Sequence, residues 1–140
     1  DAQGDSSSIN AQSPFNRMGQ HLSVNNKGNV LRRHLEGKNI DPETCSLRLI
    51  AHGPILKETK NKDEHRMRRD GIAAMEKALA DEMTAAGYNV INTVSSLKKL
   101  NVAKFASVRA AFALHFKKLD GGKKTKDRCV RIYELTIFLI

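Results

Sequence analysis

The chain has 140 residues, and its 24 lysines and arginines outnumber its 15 aspartates and glutamates, giving a formal net charge of +9. This length fits one domain with room for a tail, and no apolar run approaches the ~20 residues that a membrane-spanning helix needs. The composition also excludes collagen, a coiled-coil rod and a disulfide-dense miniprotein, because there is no glycine period, no long heptad run and only two cysteines.

The N-terminal residues are small and polar. Residues 1–13 cannot bury enough apolar surface to offset their ordering entropy, so the sequence predicts a disordered tail there and a single domain over residues 14–140. The chain begins at Asp1 instead of Met, as a chain does after removal of a leader or after trimming. Together these features favour a secreted protein, with an intracellular one as the alternative.

Two short elements are predicted before residue 52. Residues 29–36 carry Val30, Leu31 and Leu35 at helical spacing, and Gly37 is expected to close this helix in the left-handed conformation. Residues 45–51 alternate as a strand, which Gly53 and Pro54 would end.

The clearest helical pattern covers residues 63–86. Its apolar residues recur at spacings of three and four, and they are Ile72, Met75, Leu79, Met83 and Ala86. Asp63 and Glu64 favour the N-terminus of this helix, and Gly87 is placed to end it. Residues 88–91 are β-prone and predict a strand, and Thr93 would then cap a short helix over residues 94–100.

The apolar residues of 101–119 fit both the spacing of a helix and the alternation of a strand. A helix places Phe105, Val108, Phe112, Phe116 and Leu119 on one face, whereas a strand that alternates from Val108 to Phe116 would form a hairpin with the C-terminal residues. The five alanines between residues 103 and 113 favour the helix, with Asn101 as its N-cap.

Most of the C-terminal residues 129–140 are β-branched, aromatic or aliphatic, with apolar residues on both faces near the end, and they predict a strand that is central in its sheet. The elements together predict an α+β fold, a single-domain two-layer sandwich. Its small sheet has strands near 45–51, 88–91 and 129–140, and helices near 63–86 and 101–119 cover it.

The two cysteines each stand just before a predicted strand. If these strands are neighbours, Cys45 and Cys129 can form a disulfide, worth about 4.5 kcal/mol in the chain-entropy model. The alternative is two buried, reduced thiols that behave as small hydrophobic side chains. No CxxC motif is present and the five histidines are far apart in the sequence, so neither a metal site nor a cofactor is predicted.

Positive charge is concentrated in residues 117–131, hereafter the basic segment. Its cations are Lys117, Lys118, Lys123, Lys124, Lys126, Arg128 and Arg131. Because only Asp120 and Asp127 oppose them, the segment carries +5, more than half of the net charge. A glycine-containing loop of this charge suits phosphates or another polyanion. The alternative is a solvated loop whose charge keeps the protein soluble.

No catalytic motif accompanies this charge. A P-loop, a GxSxG elbow and a GxGxxG turn are all absent, and the spacing of His21, His34, His52, His65 and His115 brings no two of them together. The sequence therefore favours a non-enzymatic protein.

One short motif lies in the first predicted helix. Arg33-His34-Leu35-Glu36 resembles degenerate forms of the RxLR translocation motif of oomycete and rust effectors, with Glu36 where the last arginine belongs. The same four residues are also typical of an ordinary helix terminus.

These observations predict a small basic secreted protein of the toxin or virulence-effector type, which binds a host macromolecule without catalysis. The expected partner is an anionic macromolecule, either an acidic protein surface or a nucleic acid. The alternative is an intracellular nucleic-acid or ribonucleoprotein-binding protein that uses the basic segment.

Overall fold

The computed structural model describes residues 14–23, 30–41, 44, 46–57, 59–91, 95–121 and 132–138. Most of the regular structure among them is helical. The elements in chain order are α1 (Pro14–Leu22), α2 (Val30–Gly37), β1 (Ser46–His52), α3 (Lys62–Ala85), α4 (Val102–Ala113), a 3₁₀ turn (Lys117–Asp120) and β2 (Ile132–Phe138). None of the described helices combines the length and hydropathy that a membrane crossing requires. The predicted disordered tail, residues 1–13, lies outside the described residues.

Helix α3 begins where the sequence predicts it, and its first turn is capped. The Asn61 side chain accepts hydrogen bonds from the backbone N–H groups of Asp63 and Glu64, at 2.9 and 3.2 Å. Hydrogen bonds donated by Thr59 and Arg68 lower the pKa of the Glu64 carboxyl below its ordinary value. This network therefore stabilises the fold above that ordinary pKa, and the contribution is lost as the pH falls through the lowered pKa.

The predicted strand at 88–91 is wrong, and the end of α3 explains why. Gly87 has a φ of 83°, as predicted for the residue that ends this helix. The backbone N–H of Gly87 donates to Thr84, and that of Tyr88 donates to Met83, at 3.0 Å each. These two bonds form a Schellman motif, so the start of the segment is committed to closing the helix and not to a sheet.

Helix α2 confirms the short helix near 29–36, but the residue that closes it lies two positions later than predicted. Asn39, not Gly37, takes the left-handed conformation, with a φ of 53°. Asn39 donates to the Glu36 carbonyl and Ile40 to the Leu35 carbonyl, which forms a second Schellman motif. Leu35 is fully buried, so the stretch that resembles an RxLR motif is the end of a packed helix. Helix α1 precedes it and had not been predicted.

The helical interpretation of residues 101–119 is confirmed in part. Asn101 caps α4 by accepting a hydrogen bond from the Lys104 N–H at 3.0 Å. The helix then ends at Ala113, because the N–H groups of His115 and Phe116 both turn to the Phe112 carbonyl, and the chain continues as the 3₁₀ turn. The hairpin alternative is wrong. The helix predicted over 94–100 is also wrong for residues 95–100, which have no regular structure.

The two strands pair in parallel, with Ser46 opposite Ile132 and His52 opposite Phe138. Both were predicted, but in the described residues they form a two-stranded ladder and not the three-stranded sheet of a two-layer sandwich. Within that part of the chain β2 has β1 as its one neighbour, so the expected central position of the C-terminal strand is not found there.

Helices α3 and α4 run in the same direction. The Lys98 ammonium, just before α4, lies 2.9 Å from Asp70 of α3, and the Arg109 guanidinium of α4 lies 2.6 Å from Glu82. The two anchors on α3 are roughly 18 Å apart at the α-helical rise per residue, in the same order as their partners. The segment between the helices must therefore carry the chain back along α3.

The core lies between these two helices and β1. Both predicted stripes are confirmed, since their members are buried or packed against the core. The buried cluster contains Ile50, Ile72, Met75, Leu79, Met83, Phe105, Val108, Phe112, Ala113, Phe116 and Leu119.

The substitution Leu79→Ala tests this core. We expect it to lower the free energy of unfolding by roughly 2–5 kcal/mol, because a buried leucine is replaced by a cavity. Met67→Ala, at an exposed position of the same helix, is the matched control and should change stability little. Chemical denaturation of both variants measures the difference, and equal stability for the two would contradict the assignment of the buried face.

Candidate functional site

The candidate site is the basic segment, and the structure describes its first residues. Lys117 and Lys118 lie on the 3₁₀ turn that follows α4. Lys117 is exposed and Lys118 is half-buried. Lys123, Lys124, Lys126, Arg128 and Arg131, also predicted as binding residues, lie outside the described residues. The structure therefore describes residues 117–121 of the basic segment.

Buried apolar side chains attach the 3₁₀ turn to the core. Phe116 precedes it and Leu119 lies within it, and both are buried in the core. The Phe116 ring lies edge-on to Tyr88, at 5.3 Å between ring centres, and stacks near Phe112 at 6.1 Å. This packing fixes the backbone from which the two lysines project.

Tyr88 also holds the turn through its hydroxyl. The backbone N–H of Lys118 donates to the Tyr88 hydroxyl oxygen at 3.1 Å. The Lys118 ammonium lies 4.7 Å from the centre of the Tyr88 ring, a cation–π distance. One aromatic side chain therefore positions both the backbone and the charged end of the same lysine.

Arg109 ties the turn to both long helices. Its guanidinium donates to the Glu82 carboxylate on α3 at 2.6 Å, to the Leu119 carbonyl at 2.6 Å and to Asp120 at 3.3 Å. The hydrogen bond and charge of Glu82, with a smaller contribution from Asp120, raise the pKa of Arg109 above its ordinary value. The guanidinium thus stays charged, and its donors are directed to the protein itself.

Gly121 ends the turn with a φ of 74°. Its N–H donates to the Lys118 carbonyl at 3.2 Å. The left-handed conformation suits glycine, because a Cβ would strain the backbone there. The chain thus leaves the turn at a defined point.

The other predicted chemistry is only partly described. Both residues of the predicted disulfide, Cys45 and Cys129, lie outside the described residues. The five histidines lie on different parts of the fold: α1, α2, β1, α3 and the residues after α4. In the described ranges no group of three or more His, Cys, Asp or Glu side chains could hold a metal ion.

Sequence reasoning missed Arg109, Tyr88 and Glu82. The partners of Arg109 are 27 and 11 residues away in the chain, which no local spacing reveals. Tyr88 lies in residues 88–91, for which the sequence predicts a strand and not a contact with the 3₁₀ turn. No sequence signal identifies Arg109 or Glu82, because their contact joins residues far apart in the chain.

Comparisons with known proteins give no relative: no protein-family model, no curated protein and no solved structure matches the chain.

The substitution Arg109→Ala tests the anchoring of the turn. Removing the guanidinium takes away the donor to the Leu119 carbonyl and the link from the turn to Glu82 of α3, so the amide protons of Leu119 and Gly121 should exchange with solvent faster. Arg66→Ala, which removes an exposed arginine of α3, is the matched control. Hydrogen exchange is measured at the turn amides and at the buried amides of α3. Faster exchange at the turn alone indicates a local effect, whereas faster exchange at both indicates a loss of global stability. Unchanged exchange at both turn amides would contradict the anchoring role.

Proposed function

We propose that the protein is a non-enzymatic binding protein that contacts an anionic macromolecule through the basic segment, and that it acts as a secreted protein on a macromolecule of a host. Lys117, Lys118, Lys123, Lys124, Lys126, Arg128 and Arg131 supply the contacts. A two-layer α+β architecture belongs to the same proposal, supported by Ile50 of β1, which packs in one core with α3 and α4.

The observation that carries the proposal is that the protein holds the first residues of the basic segment in place. The backbone of the 3₁₀ turn is held by Tyr88, by Arg109 and by two buried side chains, while Lys117 stays exposed. A fixed start lowers the conformational entropy that the segment loses on binding. A loop that served solubility alone would need no such anchoring.

The ion pairs of the turn also favour an anionic partner. Asp120 is one of only two carboxylates in the basic segment, and it lies 3.3 Å from Arg109. The charge of this carboxylate is thus partly neutralised from within the protein. The lysines that follow are opposed mainly by Asp127, so the positive potential of the segment is largely preserved for a partner.

The strand pairing supports the secreted interpretation through the two cysteines. Cys45 directly precedes Ser46, Cys129 stands shortly before Ile132, and Ser46 pairs with Ile132 in the parallel ladder. In the sequence, both cysteines therefore come shortly before the residues that open the paired strands. A disulfide there would be typical of an oxidising compartment. The intracellular nucleic-acid-binding alternative rests on the charge alone.

The substitution of Lys123, Lys124 and Lys126 by glutamine tests the binding surface. Each lysine that neutralises a phosphate releases counterions, so the triple variant should bind double-stranded DNA or RNA more weakly. Its plot of log affinity against log salt should be flatter by about two to three units. A salt titration of binding, followed by fluorescence anisotropy, measures both quantities.

The matched control removes the same charge elsewhere, by glutamine at the exposed Lys38, Lys57 and Lys60. This control variant should retain most of the wild-type salt slope. Polyglutamate in place of nucleic acid identifies the class of partner, since tighter binding to it favours an acidic host protein. If the wild type binds no polyanion near physiological salt, or if the triple variant and the control share one slope, the segment is not the binding surface.

The disulfide is tested separately. The protein exported into an oxidising compartment should have an intact mass about 2 Da below that of the reduced protein, because one S–S bond replaces two S–H bonds. The Cys45→Ser, Cys129→Ser double variant is the control and should show no mass change on reduction. Alkylation of both thiols in the native, unreduced protein would contradict the bridge.

A further inference from the structure

Three large apolar side chains remain exposed where α3 and the approach to α4 meet. Met67 on α3 is 67% exposed, Leu97 is fully exposed, and Val102, the first residue of α4, is 71% exposed. Single exposed apolar residues are ordinary, but a group of them marks an interaction site.

One ion pair ties the segment before α4 to the part of α3 that carries Met67. The Lys98 ammonium lies 2.9 Å from the Asp70 carboxylate. Asp70 is one helical turn after Met67, and Leu97 directly precedes Lys98. Val102 opens the helix that follows the same short segment. The pair therefore keeps the chain at Lys98 near this turn of α3, and both Leu97 and Val102 are within four residues of Lys98 in the sequence.

Cations without partners flank this group. Arg66 and Lys99 are exposed, and neither has an ion-pair partner among the described residues. Their neighbours Arg68 and Lys98, in contrast, are paired within the protein with Glu64 and Asp70. We name the set of Arg66, Met67, Leu97, Lys99 and Val102 the entry surface.

We propose that the entry surface docks an acidic amphipathic segment of a partner protein. Leucine-like side chains of the partner would cover Met67, Leu97 and Val102, and its carboxylates would face Arg66 and Lys99. Charge complementarity around apolar anchors is the usual design of such sites, in which the apolar contacts supply affinity and the charges supply orientation. The site shares no residue with the basic segment and does not depend on the function proposed for it.

The composition of the surface favours a protein over other anionic partners. None of its five residues is aromatic, so it offers no stacking platform for the bases of a single-stranded nucleic acid. A lipid surface is typically met by the continuous apolar face of one helix, whereas the apolar stripe of α3 is turned into the core. The three anchors come instead from α3, from the irregular segment and from α4.

The test uses a fluorescein-labelled synthetic peptide that is helical, with glutamates on one face and leucines on the other. We expect the full chain to bind it, and the Met67→Ser, Leu97→Ser double variant to bind about tenfold more weakly. The matched control, Phe15→Ser with Leu114→Ser, removes two apolar side chains that are equally exposed elsewhere, and it should bind as the wild type does. Circular dichroism verifies that both double variants are folded.

Further measurements separate this site from the basic segment and from lipid. The triple variant at Lys123, Lys124 and Lys126 should bind the peptide with unchanged affinity, and Arg66→Gln with Lys99→Gln should weaken binding. The proposal is overturned if the wild type fails to bind the peptide or if the two double serine variants bind it equally. A loss confined to the lysine triple variant overturns it as well. Binding to phosphatidylserine vesicles that falls in the Met67, Leu97 variant would assign the surface to lipid and overturn the protein partner.

Discussion

The guanidinium of Arg109 is the interaction on which the arrangement around the basic segment depends. It joins α4, on which it lies, to α3 through Glu82 and to the 3₁₀ turn through the Leu119 carbonyl and Asp120. A lysine would not be equivalent, because its donors all lie on one nitrogen, whereas the guanidinium donates from three: Nε to Glu82, Nη1 to Asp120 and Nη2 to the Leu119 carbonyl. The core brings the two helices together, and this side chain sets where the following segment leaves them.

The arrangement separates cations that stabilise the fold from cations that remain available. Arg109, Arg68 and Lys98 each form an ion pair with a carboxylate of the protein itself. Lys117, by contrast, is exposed on an anchored turn, and no described residue forms an ion pair with it. Net charge alone does not reveal this division, since each of these side chains counts equally toward +9. Which charges meet a partner is decided by the tertiary contacts.

Much of the helical structure could be predicted from the sequence, because a buried helical face leaves a period of 3.6 residues. The stripe from Ile72 to Met83 is the clearest case. The same period predicted α4 to be too long, since Phe116 and Leu119 continue the spacings of four and three although α4 ends at Ala113 and Leu119 lies in the 3₁₀ turn. A spacing of three is shared by both helix types, so periodicity cannot locate the boundary between them.

The remaining failures have similarly local causes. The β-prone residues after Gly87 did not form a strand, because the first of their N–H groups closes α3. Helix α1 was missed although Phe15, Met18 and Leu22 recur at helical spacing, since Gly19 and the polar residues between them weaken the pattern. The anchoring by Arg109 could not be predicted at all, because it depends on residues far apart in the chain.

The parallel pairing of β1 with β2 has a consequence for the order in which the chain folds. β1 is near the N-terminal third and β2 is close to the C-terminus, so their contacts have a large sequence separation and form slowly. The helices between them pack through closer contacts and gain stability earlier. During synthesis from the N-terminus, β1 emerges long before the strand that it pairs with, and its edge stays open until β2 has left the ribosome. The ladder therefore forms after the packing of the helices between its two strands.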